Sequence, residues 1–137
     1  MTDNLTRIDP KRLEEILQIA PFHRWLGHTL RSCSNEQLEL EMPWRDEIVS
    51  NPAIGSAHGG VLASLIDLTG LYTLLSQGTG AKATADLRVD YHRPATSGPL
   101  VASGKIIKIG KNISVAETRV YGPTGNLLAS GRGAYVC

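Results

Sequence analysis

One acidic residue interrupts the most apolar stretch of the chain, HGGVLASLIDLTGLYTLLS, which covers residues 58–76. Asp67 lies inside this stretch, between an isoleucine and a leucine. Burying an unpaired carboxylate costs several kcal/mol, so an acid here needs a partner, water or a chemical role. Carboxylates in such settings act as general bases or as nucleophiles. Asp67 is therefore the main catalytic candidate, and a structural acid paired with a hydroxyl is the alternative.

The start of the same stretch is suited to holding negative charge. Two glycines, Gly59 and Gly60, follow His58 where a helix is predicted to begin. The first N–H groups of a helix have no partner within it, and the helix dipole adds partial positive charge there. Because glycine has no side chain, the carbonyl group of a ligand can come close to the backbone. These amides can stabilise a developing oxyanion.

The spacing of His58 and Asp67 limits what the histidine can do. The two residues are nine apart, and nine steps of about 100° place them on opposite faces of a helix. They cannot form a His–Asp dyad within one chain or share a metal ion. We expect His58 to cap the helix or to bond the preceding loop, with acid–base duty as the alternative. The other histidines lack zinc-like spacing, so no metal is predicted.

Two helices are predicted to position these groups. The central helix, about residues 58–76, is apolar on nearly every side, which predicts burial all round. It is too short and too interrupted by polar residues for a membrane span. A second, amphipathic helix is predicted over about residues 9–20, ended by Pro21. Phe22 and Trp25 are expected to pack it onto the core, or alternatively to line the rim of a ligand tunnel.

Alternating polar and apolar residues predict strands in the rest of the chain. Residues 27–33 and 38–42 form a hairpin, and residues 43–57 form a loop into the central helix. After that helix, four strands with short connections predict an antiparallel meander. In its first strand, the alternation places Thr84 on the face opposite Leu87 and Val89. The class is α+β, with the sheet wrapped around the central helix.

Composition and charge exclude several function classes. The 137 residues predict a single domain over 1–137, with 42% hydrophobic and 20% charged residues. A formal charge of +1 gives no field that favours nucleic acid or an anionic membrane. Cys33 and Cys137 are far apart and indicate neither a disulfide framework nor a metal site. With no signal peptide recognised, we expect a cytoplasmic protein.

Five features occur together in a defined order. They are Asn51, HGGVLASLID at 58–67, TADLRVDYHRPA at 84–95, GKN at 110–112 and GRGAYV at 131–136. In this order they resemble the hot-dog fold acyl-CoA thioesterases of the phenylacetate-degradation (PaaI-like) type, over roughly residues 20–136. The resemblance implies an antiparallel sheet wrapped around one long helix. It also implies hydrolysis of an acyl- or aryl-CoA to the free acid and CoA.

The resemblance implies a role for each matching residue. The Gly59 N–H polarises the thioester carbonyl, and Asp67 acts as nucleophile or as general base on water. Thr84 helps to place that water, unless it is an ordinary strand threonine, and Asn51 orients the acid. With His58 these residues make up the expected catalytic set. Contacts with CoA are expected from four further residues, and no cofactor is expected because CoA is part of the substrate. The four are Gly60, Arg93, Lys111 and Arg132.

The spacing along the helix also predicts an assembly. Gly59 and Asp67 are eight residues apart, about 12 Å along a helix axis. One thioester carbon cannot lie within about 3 Å of both. If both act on one bond, they come from two subunits whose central helices run antiparallel across a two-fold axis. A homodimer is therefore expected, and we separately expect these dimers to pair into a dimer of dimers.

Two alternative functions stay open at this point. The first is a hot-dog enoyl-CoA hydratase or dehydratase, which pairs a histidine with an acid and here requires His58 to point into the site of a neighbouring subunit. The second is a non-catalytic acyl-CoA binding module, in which Asp67 is structural. Crotonyl-CoA hydration tests the first, and ligand binding by a variant lacking the Asp67 carboxylate tests the second.

Overall fold

A computed structural model describes residues 5–137 of the protein. Residues 1–4 of the predicted domain lie outside the described residues. The helices are α1 (Pro10–Leu17), α2 (Pro21–Leu26) and α3 (Gly59–Ser76), and a 3-10 helix covers Asp46–Ile48. The strands are β1 (Thr29–Ser34), β2 (Gln37–Met42), β3 (Val49–Asn51), β4 (Ser56–Ala57), β5 (Ala83–Tyr91), β6 (Leu100–Lys108), β7 (Ile113–Tyr121) and β8 (Leu127–Val136).

Six strands form one antiparallel sheet in the order β1-β2-β6-β7-β8-β5, and β3 pairs with β4 in a small separate sheet. Every second residue along β2, β7 and most of β6 is buried, because one face of these strands lies on the core. α3 packs across that face, mainly on β6, β7 and β8. The predicted α+β class and the sheet wrapped around one long helix are confirmed.

The helix lies close to the sheet because small residues face it. Leu62, Leu65 and Ile66 of α3 are buried among apolar side chains of the strands. On β8, a Cβ atom added to Gly131 would lie 2.6 Å from Cγ2 of Ile66 and 2.6 Å from the backbone oxygen of Arg88. Interiors are packed too tightly to absorb such an atom cheaply. Glycine at this position therefore sets the distance between α3 and the sheet.

The predicted four-strand meander is wrong in the position of β5. Strands β6, β7 and β8 follow one another across the sheet, but β5 pairs with β8 rather than with β6. α3 crosses the face of the sheet before β5 begins, so the chain that leaves it reaches the edge beside β8. As a result β5 is the last strand at that edge, and only Leu87 and Val89 among its residues are not exposed.

A β-bulge in β5 reverses the predicted orientation of its first residues. The register with β8 shifts between Thr84 and Asp86, which leaves Ala85 as the extra residue. An extra residue changes which face the side chains before it occupy. Thr84 therefore faces α3, on the same side as Leu87 and Val89, instead of the opposite side that strict alternation predicts.

The N-terminal segment forms two helices where one was predicted. The first ends at Leu17, and Pro21 begins α2 rather than only ending α1. The expected packing of Phe22 and Trp25 on the core is wrong, since 48% and 46% of these residues are exposed. α2 has six residues, and its buried side chain, Leu26, packs in the core. The guanidinium of Arg45 stacks on the Trp25 ring at 3.7 Å.

Segment 43–57 and the central helix both depart from expectation. The predicted loop contains the β3–β4 pair and a 3-10 helix. α3 is not buried all round, because one face, the open stripe, is half-buried or exposed. The open stripe consists of Gly60, Ser64, Asp67, Leu71 and Leu75. By length and composition α3 could span a membrane, so the length argument against a span was wrong; its apolar residues pack in the core.

Candidate active site

Asp67 lies on the open stripe of α3, and within the described residues 5–137 its carboxylate has one hydrogen-bond partner. The hydroxyl of Thr84 donates a hydrogen bond to Oδ1 of Asp67 at 2.6 Å. The bulge at Ala85 makes this contact possible, because it turns the Thr84 side chain toward the helix. The structure thus brings two of the predicted site residues together. The half-buried carboxylate faces a side of α3 that the sheet leaves uncovered.

Tyr135 of β8 contacts the main chain of Asp67. Its hydroxyl donates a hydrogen bond to the backbone oxygen of Asp67 at 2.9 Å. Burial, and secondly the nearby Asp67 carboxylate, raise the pKa of the Tyr135 phenol, so this hydroxyl stays protonated as a donor. The sequence reasoning missed Tyr135. The available signal was an aromatic residue two positions after Gly133, on the strand face that points toward α3.

The start of α3 presents an amide that has no hydrogen-bond acceptor in the described part of the chain. His58 is the N-cap, and its Nδ1 accepts a hydrogen bond from the Gly60 N–H at 2.8 Å. The Val61 N–H donates to the His58 oxygen at 3.0 Å, while the His58 N–H donates to Ile48 at 2.7 Å. Within residues 5–137, no acceptor is recorded for the Gly59 N–H. The predicted capping role of His58 is confirmed, and Gly59 is left as the available donor.

Tyr91, at the end of β5, holds the first residue of α3. Its hydroxyl donates to the Gly59 carbonyl oxygen at 2.7 Å. A Cβ atom on Gly59 would lie 3.3 Å from Cζ of the Tyr91 ring, so the ring covers this residue closely. The sequence analysis gave Tyr91 no role, although it lies within the motif at residues 84–95. β5 therefore contacts Asp67 near its start and Gly59 at its end.

Asn51 lies on the helix-start side of the molecule, away from Asp67 of its own chain. It belongs to β3, which pairs with the β4 strand that leads into α3. Its Oδ1 accepts a hydrogen bond from the Ala53 N–H at 3.1 Å, and its backbone oxygen accepts from Gly55 at 2.8 Å. These bonds shape the turn that delivers the chain to His58. The structure records no contact between Asn51 and Asp67 within residues 5–137.

The expected CoA-binding residues are spread over different parts of the molecule. Arg93 is exposed just after β5, and Lys111 lies in the β6–β7 turn beside a cavity of about 550 Å³. Arg132 lies on the outer face of the sheet, opposite Arg88 and Glu117 on the neighbouring strands. Gly60 has both backbone groups bonded locally, to His58 and to Ser64. The structure does not bring the three basic side chains together.

Comparison with known proteins identifies the family. The sequence profile of the thioesterase superfamily matches residues 54–129, more than half of the chain. The chain belongs to the thioesterase superfamily. The hot-dog thioesterase fold and the enzyme class, thioester hydrolase, are thereby confirmed.

Relatives within the thioesterase superfamily match most of the chain. Acyl-coenzyme A thioesterase 13 from Mus musculus is 30% identical over 136 residues, which cover 96% of this chain and 93% of that protein. The medium/long-chain acyl-CoA thioesterase YigI from Escherichia coli K12 is 29% identical over 131 residues, 85% of this chain and 84% of that one. Both matches cover at least 84% of each protein, so the similarity extends beyond the residues that the profile matches.

Solved structures of the superfamily have the same fold. One crystal structure, described as a protein from the thioesterase superfamily, superposes with a TM-score of 0.88 at 40% identity, covering 93% of this chain and 97% of that one. The Escherichia coli PaaI protein from the phenylacetic acid degradation operon gives a TM-score of 0.82 at 24% identity, covering 92% and 90%. The second likeness concerns the fold alone.

Residues 5–137 of this protein contain no group of three or more His, Cys, Asp or Glu side chains that could hold a metal ion. Cys33 and Cys137 are free thiols. The chemical groups that the structure does provide are a carboxylate held by a hydroxyl, near the middle of α3, and an amide donor at its start. They are eight residues apart on one straight helix, about 12 Å.

Proposed function

We propose that this protein is an acyl-CoA thioesterase, which hydrolyses the thioester of an acyl- or aryl-CoA to the free acid and CoA. The observation that carries the proposal is the carboxylate of Asp67, bonded by Thr84 at 2.6 Å on the uncovered face of a buried helix. An acid there is available to a substrate. The acyl-CoA thioesterases among the relatives, from mouse and Escherichia coli, support CoA esters as the substrate class.

The two groups divide the chemistry of hydrolysis. The Gly59 N–H donates to the thioester carbonyl oxygen and stabilises the negative charge that develops on it. As general base, Asp67 takes a proton from water while the water oxygen bonds to the carbonyl carbon, and the sulfur of CoA leaves and takes up a proton. As nucleophile, Asp67 instead attacks the carbonyl carbon and displaces the CoA thiolate, which takes up a proton, and water then hydrolyses the resulting mixed anhydride. Both routes give the acid and free CoA.

Each site is shared between two subunits in this proposal. A helix that separates Gly59 from Asp67 by about 12 Å cannot bring both to one carbonyl, but an antiparallel copy of the helix can. The unpaired edge and largely exposed faces of β5 support this arrangement, because an open strand edge is a ready pairing surface. Asn51 and Tyr91, both near the helix start, then meet Asp67 of the neighbouring subunit.

The proposal also covers the contacts with CoA, the larger assembly and the location of the enzyme. Gly60, Arg93, Lys111 and Arg132 remain the candidates for contacts with CoA, and no cofactor beyond the substrate is needed. The dimers pair into a dimer of dimers, which sedimentation velocity tests directly. We place the enzyme in the cytoplasm, where the thiols of Cys33 and Cys137 stay reduced.

Thioesterase superfamily membership favours hydrolysis over the two alternatives. A hydratase would need the His58 ring for acid–base chemistry, whereas its Nδ1 accepts the Gly60 N–H. Assay of crotonyl-CoA hydration tests this alternative. A non-catalytic binding module would bind acyl-CoA without hydrolysing it. An assay of CoA thiol release by the wild-type protein tests this alternative. A panel of short, medium, long and aryl CoA esters identifies the acyl group.

The first test of the proposal replaces Asp67→Asn. The amide keeps the size and can accept from Thr84 but cannot act as base or nucleophile, so thioester hydrolysis should fall by roughly 10²-fold or more. Binding of CoA should change little. Asp86→Asn is the matched control, since Asp86 is an exposed acid on the opposite face of β5. Turnover near the wild-type rate in the Asp67 variant would show that the acid is not catalytic.

The second test mixes two inactive parents, Asp67→Asn and Gly59→Pro, the latter lacking the amide donor. Random mixing makes about half of the dimers heterodimers, and each has one site with both groups intact. Roughly a quarter of wild-type activity should return after the parents are unfolded and refolded together. The Gly59 variant must first be shown to be a folded dimer. Proven heterodimers that stay inactive would rule out the shared site.

A further inference from the structure

The Tyr135 side chain fits closely into a space beside the backbone of Asp67. It is fully buried, with 0% of its surface exposed, and its ring lies between β8 and α3. A Cβ atom on Gly70 would overlap the Tyr135 hydroxyl and lie 3.0 Å from Cζ. A Cβ atom on Gly133 would overlap the hydroxyl as well. Two glycines, one in the helix and one in the strand, therefore leave the space that the phenol fills.

The glycine in the helix has an energetic cost that needs a reason. Gly70 lies inside α3, where glycine destabilises a helix by roughly 0.5–1 kcal/mol relative to alanine. An alanine at this position would push the Tyr135 hydroxyl away from the backbone oxygen of Asp67. Gly70 is therefore an unfavourable helix residue about one turn from Asp67, and its small size permits the hydrogen bond from Tyr135 to the Asp67 backbone.

The two hydroxyls that contact Asp67 come from paired residues. Thr84 on β5 is the register partner of Tyr135 on β8. Thr84 donates to the carboxylate at 2.6 Å, and Tyr135 donates to the backbone oxygen of the same residue at 2.9 Å. One cross-strand pair therefore fixes the acid at its side chain and at its main chain. Neither the capping of α3 nor its apolar packing requires such a pair.

We propose that Tyr135 is a positioning residue for thioester hydrolysis: its hydroxyl, seated between Gly70 and Gly133, fixes the helical turn of Asp67 so that Thr84 can hold the carboxylate in its reactive orientation. The proposal rests on the proposed function, in which Asp67 is catalytic. Tyr135 does not touch the substrate. It acts through the backbone at the one point of α3 where the orientation of a side chain decides the rate.

Tyr135→Phe tests the proposal, because it removes the hydroxyl and keeps the ring. We expect kcat to fall about tenfold, the rate equivalent of one misplaced hydrogen bond, while KM for the same acyl-CoA stays within about twofold. Rates are normalised to folded protein measured by circular dichroism. Tyr72→Phe is the matched control: this tyrosine of α3 is also buried, among apolar side chains of α1 and β2, and no group within residues 5–137 accepts a hydrogen bond from its hydroxyl. It should leave kcat unchanged.

A second variant covers the case in which Tyr135→Phe does not fold. Gly70→Ala keeps the tyrosine, improves helix propensity and displaces the hydroxyl, so it should lower kcat with little change in KM. The Asp67→Asn background supplies the decisive comparison. If Tyr135 acts through the acid, Tyr135→Phe should cause no further loss in the residual rate of the Asp67 variant.

Each outcome decides between the two hypotheses. Wild-type kcat in both Tyr135→Phe and Gly70→Ala, beside an inactive Asp67→Asn, would overturn the positioning role and leave the thioesterase proposal intact. A tenfold loss that persists undiminished in the Asp67→Asn background would also overturn it. An Asp67→Asn enzyme with near wild-type turnover would overturn the catalytic acid, and the positioning role with it.

Discussion

A buried histidine makes the stability of the fold depend on pH. His28, just before β1, has 0% of its surface exposed, and neither ring nitrogen has a hydrogen-bond partner within residues 5–137. Burial, and secondly the nearby ring of His23, lower the pKa of His28 from 6.5 to about 4. The folded protein therefore keeps this ring neutral where an unfolded chain protonates it.

The sign and size of the effect follow from this lowered pKa. Between about pH 6.5 and pH 4 the unfolded state binds more protons than the folded state, so acid favours unfolding. At roughly 1.36 kcal/mol per pKa unit, the free energy of unfolding falls by about 3 kcal/mol across this window because of His28 alone. Above pH 7 the ring is neutral in both states and contributes no pH dependence.

His28→Leu isolates this contribution from the carboxylates that titrate in the same range. Urea unfolding at fixed protein concentration, from about pH 7.5 to 4, gives the free energy of unfolding for both proteins. The variant should be equal or about 1 kcal/mol more stable at neutral pH, since it removes two unpaired nitrogens. Its advantage should grow by about 3 kcal/mol toward pH 4. His23→Gln should leave most of the pH dependence in place, because burial is the larger cause.

The reasoning fails if the difference in unfolding free energy between wild type and His28→Leu stays constant within about 1 kcal/mol over this pH range. That result would mean that the ring keeps contact with water or finds an acceptor. Raising the salt concentration separates the causes further. Burial is insensitive to salt, whereas interactions between exposed charges are screened.

Two further predictions concern substrate binding and packing. If Arg93, Lys111 or Arg132 meets CoA phosphates, KM for CoA esters should rise with added salt while KM for N-acetylcysteamine thioesters stays flat; equal salt responses would argue against these residues. Gly131→Ala should lower the free energy of unfolding by about 1–3 kcal/mol, because its Cβ meets Ile66 and the backbone. Gly80→Ala, whose Cβ would meet a single backbone atom of residues 5–137, at 4.0 Å, is the control and should be nearly neutral in urea unfolding.

The sequence predicted the elements whose pattern is local. The two glycines after His58 and the apolar run that follows them are both visible in the sequence. They predicted a helix over about residues 58–76, and α3 covers Gly59–Ser76. The fold class follows from this apolar helix together with the alternating pattern of the predicted strands, which offers it a sheet face to pack on. The arithmetic between Gly59 and Asp67 needs only the helical rise. These inferences required no knowledge of how the strands pair.

The parts that sequence reasoning missed depend on contacts between distant segments. No local pattern shows that Ala85 is a bulge, yet the bulge decides whether Thr84 reaches Asp67. The place of β5 beside β8 depends on where α3 leaves the sheet. Tyr135 is 68 residues from its acceptor, so only the three-dimensional structure relates the two.

The cap at the start of α3 also controls how many amide donors that helix end offers. Because Nδ1 of His58 accepts the Gly60 N–H, a neutral ring must carry its proton on Nε2. In this tautomer the cap occupies one amide and leaves that of Gly59. A doubly protonated ring has no lone pair on Nδ1 and would release the Gly60 amide. Protonation of one ring nitrogen would thus change the helix start from a single donor to a pair, with a positive charge beside them.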